Sequence, residues 1–279
     1  MVEGAIVNTE RFTVLFESGL LSGPFSWSWI APRLEKDRYD QILIDRSTPS
    51  VVDAMLREQT YSAVRERLRA AVDIDALAAP LILVGHSVGG LLVQAHARYF
   101  GSIVAGVVLV DPSPPDQFLP GVDTSYEHLR LNQAILVRAL QATFGRRPSD
   151  QELAGVRQLP PEVTVRVEAL MRRPRFWVDA YRESRAAARY WVEVGLAPLH
   201  NDTVTAVVSS GVARVESSLQ ARYIAGLLKR SANARELRGY DATHESIVFN
   251  ERHSMLVNDA IDWVAATHSA KTRKARVEH

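Results

Sequence analysis

Ser87 lies in a sequence pattern that is typical of a catalytic nucleophile. It is the central residue of a Gly-x-Ser-x-Gly motif at 85–89, which follows the apolar run 81–84 and precedes a helix-like segment, 91–100. A buried strand, a tight turn and a helix in this order expose a serine hydroxyl in front of a helix N-terminus that favours negative charge. The pattern therefore predicts that Ser87 attacks an electrophile and that the backbone N–H of Val88 stabilises the resulting oxyanion.

Two glycines flank this serine, and the tightness of the turn explains them. The strand and the helix around such a turn lie so close together that a Cβ at Gly85 or Gly89 would collide with a neighbouring element. His86 stands beside the nucleophile, but on a turn this tight its side chain points away from the serine hydroxyl. We therefore expect another histidine to act as the base, and we assign His86 to the wall of the substrate pocket.

The composition limits the classes of protein to which the chain belongs. The chain has 279 residues, 47% hydrophobic and 23% charged, which suits one sizeable globular domain or a core with an inserted cap. A net charge of +1 argues against nucleic acid or an anionic membrane as a partner. The absence of cysteine excludes disulfides and thiol catalysis. No apolar run is long enough to span a bilayer, and the first residues lack signal-peptide features, so we expect a cytoplasmic protein.

Apolar segments of strand length alternate with helical ones, which predicts an α/β fold with a mostly parallel central sheet flanked by helices. The predicted strands comprise residues 11–16, 40–45, 81–84, 106–111, 203–209 and 234–237. The predicted helices of this core comprise residues 26–35, 51–78, 91–100, 217–230 and 257–267. Residues 113–200 contain helical segments broken by prolines and no clear strand. They predict a helical cap inserted before the penultimate strand, with residues 1–112 and 201–279 as the core domain.

These features together resemble the α/β-hydrolase superfamily, from Arg11 to about Thr267. The resemblance is to esterase- or lipase-like members that use a serine nucleophile and carry a helical cap. It implies a triad in the chain order serine, acid, histidine, together with an oxyanion hole and no metal or organic cofactor. It also implies that the cap covers the serine and forms much of the substrate pocket.

The loop after the first predicted strand resembles the part of the family that completes the oxyanion hole. Ser18 and Gly19 stand where the family has a His-Gly pair. By this match the backbone N–H of Leu20 is the second oxyanion donor, beside that of Val88. A backbone donor does not depend on side-chain type, so the loss of the histidine need not abolish the hole. The alternative is a glycine-containing loop that only connects a strand to a helix.

The resemblance also indicates the base. His244 lies in the loop after the last predicted strand, where the family carries its catalytic histidine, and a small apolar patch and a closing helix follow it. In this role His244 takes the proton of Ser87 and returns it to the leaving group. His253 falls where the family begins the closing helix and is the weaker candidate. The alternative for His244 is a histidine in a surface loop.

The acid of the triad has more than one candidate. The family usually places it just after the strand that follows the cap, where Glu216 is the only acid and is equally explained as a favourable charge at a helix start. Some relatives, including a subgroup of haloalkane dehalogenases, carry the acid at the end of the strand before the cap, which is the place of Asp111. We expect Asp111 to be the acid, with Glu216 and then Asp241 as alternatives, and a site without a functional acid also stays open.

The resemblance implies a serine hydrolase of carboxylic esters, lactones or thioesters, with a small-molecule ester or acyl substrate. The same residues could instead transfer the acyl group or hydrolyse a carbon–carbon bond, and a small-molecule-binding protein with a vestigial triad is a further alternative. The loop at 46–50 lacks the glycines that the family has there, which predicts a different pocket wall. A homodimer is left open. The residues assigned to substrate binding are Gly19, Leu21, His86, Phe118, Trp177 and Tyr181.

Overall fold

A six-stranded parallel sheet forms the centre of the protein, seen in a computed structural model that describes residues 10–46, 68, 80–118, 124–196, 199–211 and 218–277. The strand order is β2-β1-β3-β4-β5-β6, and each neighbouring pair is parallel. The strands are β1 (Phe12–Glu17), β2 (Tyr39–Leu43), β3 (Leu81–His86), β4 (Val104–Val110), β5 (Thr205–Ser210) and β6 (Ala234–Gly239). Because the strands are parallel, all their carboxyl ends meet at one edge, where α/β proteins place their sites.

The inner strands are apolar along nearly their whole length because helices cover both faces of the sheet. Every residue of β1, β3 and β5 is buried. One hydrophobic cluster joins the sheet to the C-terminal helix and to the helices between β4 and β5, and a second cluster joins the other face to the helices after β3 and β5. The sheet is therefore a rigid platform for the loops at its carboxyl edge.

The helices of the described residues follow the alternation that the sequence predicts. Their bounds are α1 (Gly89–Phe100), α2 (Thr124–Thr143), α3 (Asp150–Leu153), α4 (Pro161–Met171), α5 (Pro174–Leu196), α6 (Leu219–Arg230), α7 (Ser246–Phe249) and α8 (Glu251–Val277). Helices α2 to α5 lie between β4 and β5, and α2 packs against α5. Local signals set their starts, because Ser149 and Glu152 form a reciprocal capping box at α3 and Pro161 occupies the first position of α4.

Two helix predictions are wrong in extent. Residues 26–35 form no continuous helix; the chain instead makes two short 3₁₀ helices, Pro24–Trp27 and Ala31–Arg33, each with a proline at its start. The final helix begins at Glu251 and ends at Val277, and so is longer at both ends than the predicted 257–267. Asn250 accepts backbone N–H bonds at its start, which is the capping signal that the apolar pattern did not include. The predicted helix at 51–78 falls almost wholly outside the described residues.

Candidate active site

The turn after β3 has the strained geometry that the Gly-x-Ser-x-Gly pattern predicts. Ser87 has a φ of +55°, which is unfavourable for a residue with a side chain. A Cβ at Gly85 would lie 2.4 Å from the carbonyl oxygen of Gly89, and one at Gly89 would lie 2.3 Å from that of Glu17. Both distances are too short for any side chain, so the prediction of collisions at these two glycines is confirmed.

Three side chains predicted from distant parts of the sequence meet in one chain of hydrogen bonds. The Nε2 atom of His244 lies 3.0 Å from Oγ of Ser87, and its Nδ1 atom lies 2.6 Å from Oδ2 of Asp111. In this arrangement the Nδ1–H of His244 donates to the carboxylate, which leaves Nε2 free to accept the proton of Ser87. The geometry is that of a nucleophile, a base and a carboxylate that orients the base.

Asp111 is held from both sides at the end of β4. It has a φ of +41°, and its side chain is only 1% exposed. The backbone N–H and the hydroxyl of Ser210 donate to its two oxygens at 2.9 and 3.0 Å. Burial would raise the pKa of Asp111, but the hydrogen bond and charge of His244 and the N–H of Ser210 outweigh it and lower that pKa below its ordinary value. The carboxylate is therefore ionised at neutral pH.

The alternative candidates lie elsewhere or outside the described residues. Nδ1 of His253 is 2.9 Å from Oγ of Ser246, and its Nε2 is 3.5 Å from Asp241. Neither His253 nor Asp241 contacts Ser87 within the part of the chain that the structure describes. Glu216 lies outside the described residues, so its comparison with Asp111 stays a prediction.

The loop after β1 lies directly against Ser87. A Cβ at Gly19 would be 3.0 Å from Nδ1 of His86 and 3.2 Å from Cβ of Ser87. Ser18 stabilises the loop from within, because it accepts the indole N–H of Trp27 at 3.0 Å and donates to the Gly23 carbonyl at 2.9 Å. Ser18 therefore stabilises the loop at the position where the family has a histidine.

Two backbone donors of the predicted oxyanion hole are available near Ser87. In the described ranges, the N–H groups of Leu20 and Val88 have no hydrogen-bond acceptor. Val88 is the residue before α1, so its N–H also lies at the positive end of a helix. The next loop residue, Leu21, has a φ of +60°, a second strained backbone beside the site.

His86 contacts the loop that carries His244. Its Nε2–H donates to the backbone carbonyl of His244 at 2.9 Å, and the two imidazole rings are 4.8 Å apart. Burial, and then the charge of His244, lower the pKa of His86 well below its ordinary value. It therefore stays neutral and fixes the loop that carries His244, while its Nδ1 has no partner among the described residues.

Ser87 and His244 open into a cavity of about 320 Å³ between the sheet edge and the helices that follow β4. Of the predicted substrate-binding residues, Gly19, Leu21, His86 and Trp177 line it. Tyr181 is half-buried, packs against the core and is not among the residues that line this cavity, and its assignment to substrate binding stays a prediction. The side chain of Phe118, which ends the 3₁₀ helix Pro115–Phe118, is not among those described, and its role stays a prediction.

Sequence reasoning missed most of the apolar wall and two polar neighbours of Ser87 and Asp111. The missed wall residues include Phe25, Leu131, Ile135, Met171, Phe176 and Phe249. Ser113 lies with its Oγ 3.2 Å from that of Ser87, and Ser210 holds Asp111. Both serines stand at the carboxyl end of a strand, the signal by which they could have been found. The helical wall offered no such signal, because its apolar residues look like ordinary core positions.

An ion pair crosses one wall of the cavity. The Nε atom of Arg138 on α2 lies 2.6 Å from Oε1 of Glu152, and its guanidinium lies over the ring of Trp177 at 5.3 Å from the centroid. Nη2 of Arg138 is buried and has no partner in the part of the chain that the structure describes. Apart from this pair, Glu245, His86, Ser87 and His244, the lining is mostly apolar.

A family model described as the alpha/beta hydrolase family matches residues 14–267. An esterase from Exiguobacterium antarcticum superposes with a TM-score of 0.59 at 14% identity, covering 92% of each chain. An N-formylmaleamic acid deformylase from Pseudomonas putida S16 has a TM-score of 0.56 at 16% identity and covers 90% of this chain and 92% of its own. A peroxisomal alpha-beta-hydrolase from Saccharomyces cerevisiae has a TM-score of 0.58 at 12% identity, over 93% and 77%. These superpositions show that the chains share a fold.

No curated protein shows significant sequence similarity to the chain. Among the described helices, none combines the length and the apolar character that crossing a membrane would require.

Proposed function

Because the chain belongs to the alpha/beta hydrolase family, we propose that it is a serine hydrolase that cleaves a carboxylic ester, lactone or thioester through an acyl-serine intermediate. The observation that carries this proposal is the hydrogen-bonded chain from Ser87 through His244 to Asp111 at the base of a cavity.

The first half of the reaction forms the acyl-enzyme. Ser87 Oγ attacks the substrate carbonyl carbon while Nε2 of His244 takes its proton. The imidazolium that forms is stabilised by the ionised Asp111 at Nδ1. The carbonyl oxygen becomes an oxyanion and accepts the N–H groups of Val88 and Leu20. The alcohol or thiol then leaves with the proton from His244.

The second half releases the acid. A water molecule gives its proton to Nε2 of His244 and attacks the acyl carbon, and the same two N–H groups stabilise the second oxyanion. Ser87 then recovers its proton from His244. Throughout, His86 keeps the loop of His244 in place because its ring stays neutral and its N–H remains bonded to the His244 carbonyl.

The cavity sets the size and character of the group that it admits. Its volume of about 320 Å³ is at the small end of ligand pockets, which span roughly 300–1,000 Å³. Its wall is mostly apolar, with aromatic side chains from Phe25, Phe176, Trp177 and Phe249. We therefore expect esters with short or medium apolar acyl groups to react faster than long-chain ones.

The test begins with covalent labelling. A fluorophosphonate should modify Ser87 rapidly, and mass spectrometry of the digested protein must assign the adduct, because Ser113 is only 3.2 Å away. Ser87→Ala should abolish labelling, and Ser113→Ala should retain it. The hydrolysis of p-nitrophenyl esters of increasing chain length then reports the reaction and the size limit. A folded wild-type protein that neither reacts with the probe nor outpaces Ser87→Ala on any ester would overturn the proposal and favour a binding protein.

A further inference from the structure

A buried arginine contacts the loop after β1, residues 18–23, which carries the Leu20 N–H and is called the oxyanion loop below. Arg46 follows β2, and its side chain is only 5% exposed. Its Nη2 donates to the carbonyl oxygen of Ser18 at 2.9 Å and to that of Gly19 at 3.2 Å. The guanidinium therefore binds the backbone of the loop.

The carbonyl of Gly19 and the N–H of Leu20 belong to one peptide unit. No peptide in the described ranges is cis, so these two groups point in opposite directions. The Cα of Gly19 faces the nucleophile, since a Cβ there would lie 3.2 Å from Cβ of Ser87. A carbonyl held by Arg46 keeps the N–H of Leu20 directed away from the guanidinium. A flipped peptide would instead present a carbonyl oxygen, which cannot stabilise an oxyanion.

Arg46 is locked to the core by a buried carboxylate. Its Nη1 donates to Glu17 at 2.6 Å, and the other oxygen of Glu17 lies 3.0 Å from Nε2 of His96 on α1. Burial alone would raise the pKa of Glu17. The charge of Arg46 and the hydrogen bond between Glu17 and His96 outweigh burial and lower that pKa. Strand β1, helix α1 and the oxyanion loop thus share one charged network.

The same guanidinium also reaches the helices between β4 and β5. Its Nε donates to Oε1 of Glu183 on α5 at 2.7 Å. A planar fork with five donors can serve two carboxylates and two carbonyls together, which a single ammonium cannot do in one geometry. The position of α5, which forms part of the cavity wall, is therefore linked to the orientation of the Gly19–Leu20 peptide through one side chain.

We propose that Arg46 is a positioning residue that orients the Leu20 N–H towards the oxyanion and couples this orientation to the seating of α5 through Glu183. The proposal rests on the function proposed above, because it assumes an oxyanion at Ser87. It predicts that loss of the Arg46 guanidinium raises the free energy of the transition state more than it weakens the binding of the substrate. The reason is that the substrate carbonyl is not yet charged when it binds.

The experiment compares Arg46→Lys with the wild type. Lysine keeps a positive charge beside Glu17, so the variant should fold, but it releases the loop carbonyls. We expect kcat to fall by about 10²-fold, the lower end of the cost of one oxyanion donor, with KM nearly unchanged. Arg33→Lys is the matched control, because Arg33 also binds a backbone carbonyl and a carboxylate, both at Glu251 and away from the site. Its kcat should stay within about twofold of the wild type.

A spectroscopic readout separates positioning from general damage to the fold. A boronic acid that forms a tetrahedral adduct on Ser87 should shift the amide proton resonances of both Leu20 and Val88 in the wild type. In Arg46→Lys the response of Val88 should persist and that of Leu20 should be lost. In Glu183→Ala, which removes the acceptor on α5, the response of Leu20 should be reduced.

The outcomes distinguish the two proposals. Equal responses of Leu20 in the wild type and in Arg46→Lys, with kcat unchanged, would overturn the role of Arg46 and leave the hydrolase mechanism intact. An unaltered Leu20 response in Glu183→Ala would overturn the coupling to α5. A wild-type protein in which the boronic acid forms no adduct on Ser87 would overturn the proposed function, and the role of Arg46 with it.

Discussion

Replacement of Asp111 by asparagine is the most direct test of the proposed triad. The variant is nearly isosteric, and the backbone N–H of Ser210 can still donate to the remaining amide oxygen. At Oδ2, however, an NH₂ group would face Nδ1 of His244, 2.6 Å away in the wild type. A donor at that place forces Nδ1 to accept, so the proton of the imidazole moves to Nε2. His244 then cannot accept the proton of Ser87.

The size of this effect follows from the role of the carboxylate. A histidine in the wrong tautomer beside an otherwise intact site costs about 10⁴-fold in kcat, which corresponds to about 5 kcal/mol in the barrier. The residual rate should rise with pH, because hydroxide can replace the missing base. The assay is the hydrolysis of a p-nitrophenyl ester of short chain length, measured over a range of pH, with the fluorophosphonate reaction as a second readout of Ser87.

Two control variants make the result interpretable. Asp241→Asn alters an exposed acid in the same loop as His244 and should retain full activity. Glu216→Gln alters the alternative acid and should also remain active. The reasoning would be refuted if Asp111→Asn, shown by thermal unfolding to be folded, kept its kcat within about tenfold of the wild type. Loss of activity in Glu216→Gln alone would place the acid after β5 instead.

Three further changes test the groups around the triad. Ser210→Ala removes a hydrogen bond to a buried carboxylate, a bond worth about 1.5–3 kcal/mol; urea unfolding should show a loss of this size, and a change below about 0.5 kcal/mol would contradict it. Gly89→Ala places a methyl group 2.3 Å from the Glu17 carbonyl, so it should yield little folded protein on expression, whereas a stable, active variant would disprove the close approach. His86 has a lowered pKa in the folded state. Below pH ~6.5 the unfolded chain therefore binds a proton that the folded chain does not, so the free energy of unfolding decreases as the pH is lowered. His86→Gln should lack this loss, so that between pH 7 and pH 5 the wild type should lose about 2 kcal/mol more than the variant in urea unfolding; parallel losses would show that His86 protonates in the fold.

Local sequence predicted the parts of the site that local geometry determines. The elbow at Ser87 could be recognised because an apolar strand, two glycines and a helix follow one another directly. The need for the glycines could be inferred from the motif alone, because backbones approach each other closely in a turn this tight. Asp111 could be proposed because it ends an apolar strand, and in the folded chain its carboxylate lies against His244.

The remainder depends on contacts that only the folded chain creates. Arg46 lies in a loop that was noted for its missing glycines, yet its partners Glu17 and Glu183 come from a strand far before it and from a helix far after it. Nothing in the spacing of these residues indicates that they meet. The wall residues on α2, α4 and α5 are apolar at helical spacing, and this pattern alone cannot separate a cavity wall from a core. In place of the helix predicted at 26–35, the chain forms two 3₁₀ helices, with Pro24 and Pro32 near their starts.

The position of the acid has a consequence for how this protein could change over time. Ser87 and Asp111 stand at the ends of two neighbouring strands, β3 and β4, that one helix connects. Ser87 and Asp111 therefore belong to a single strand–helix–strand unit that is complete before the helices of residues 124–196 begin. Those helices can lengthen, shorten or be replaced without altering the spacing of these two groups. A chimera that receives the corresponding helices of a distant relative, with a glutamate kept at the position of Glu183, should thus preserve the reactivity of Ser87 while acquiring a new substrate range.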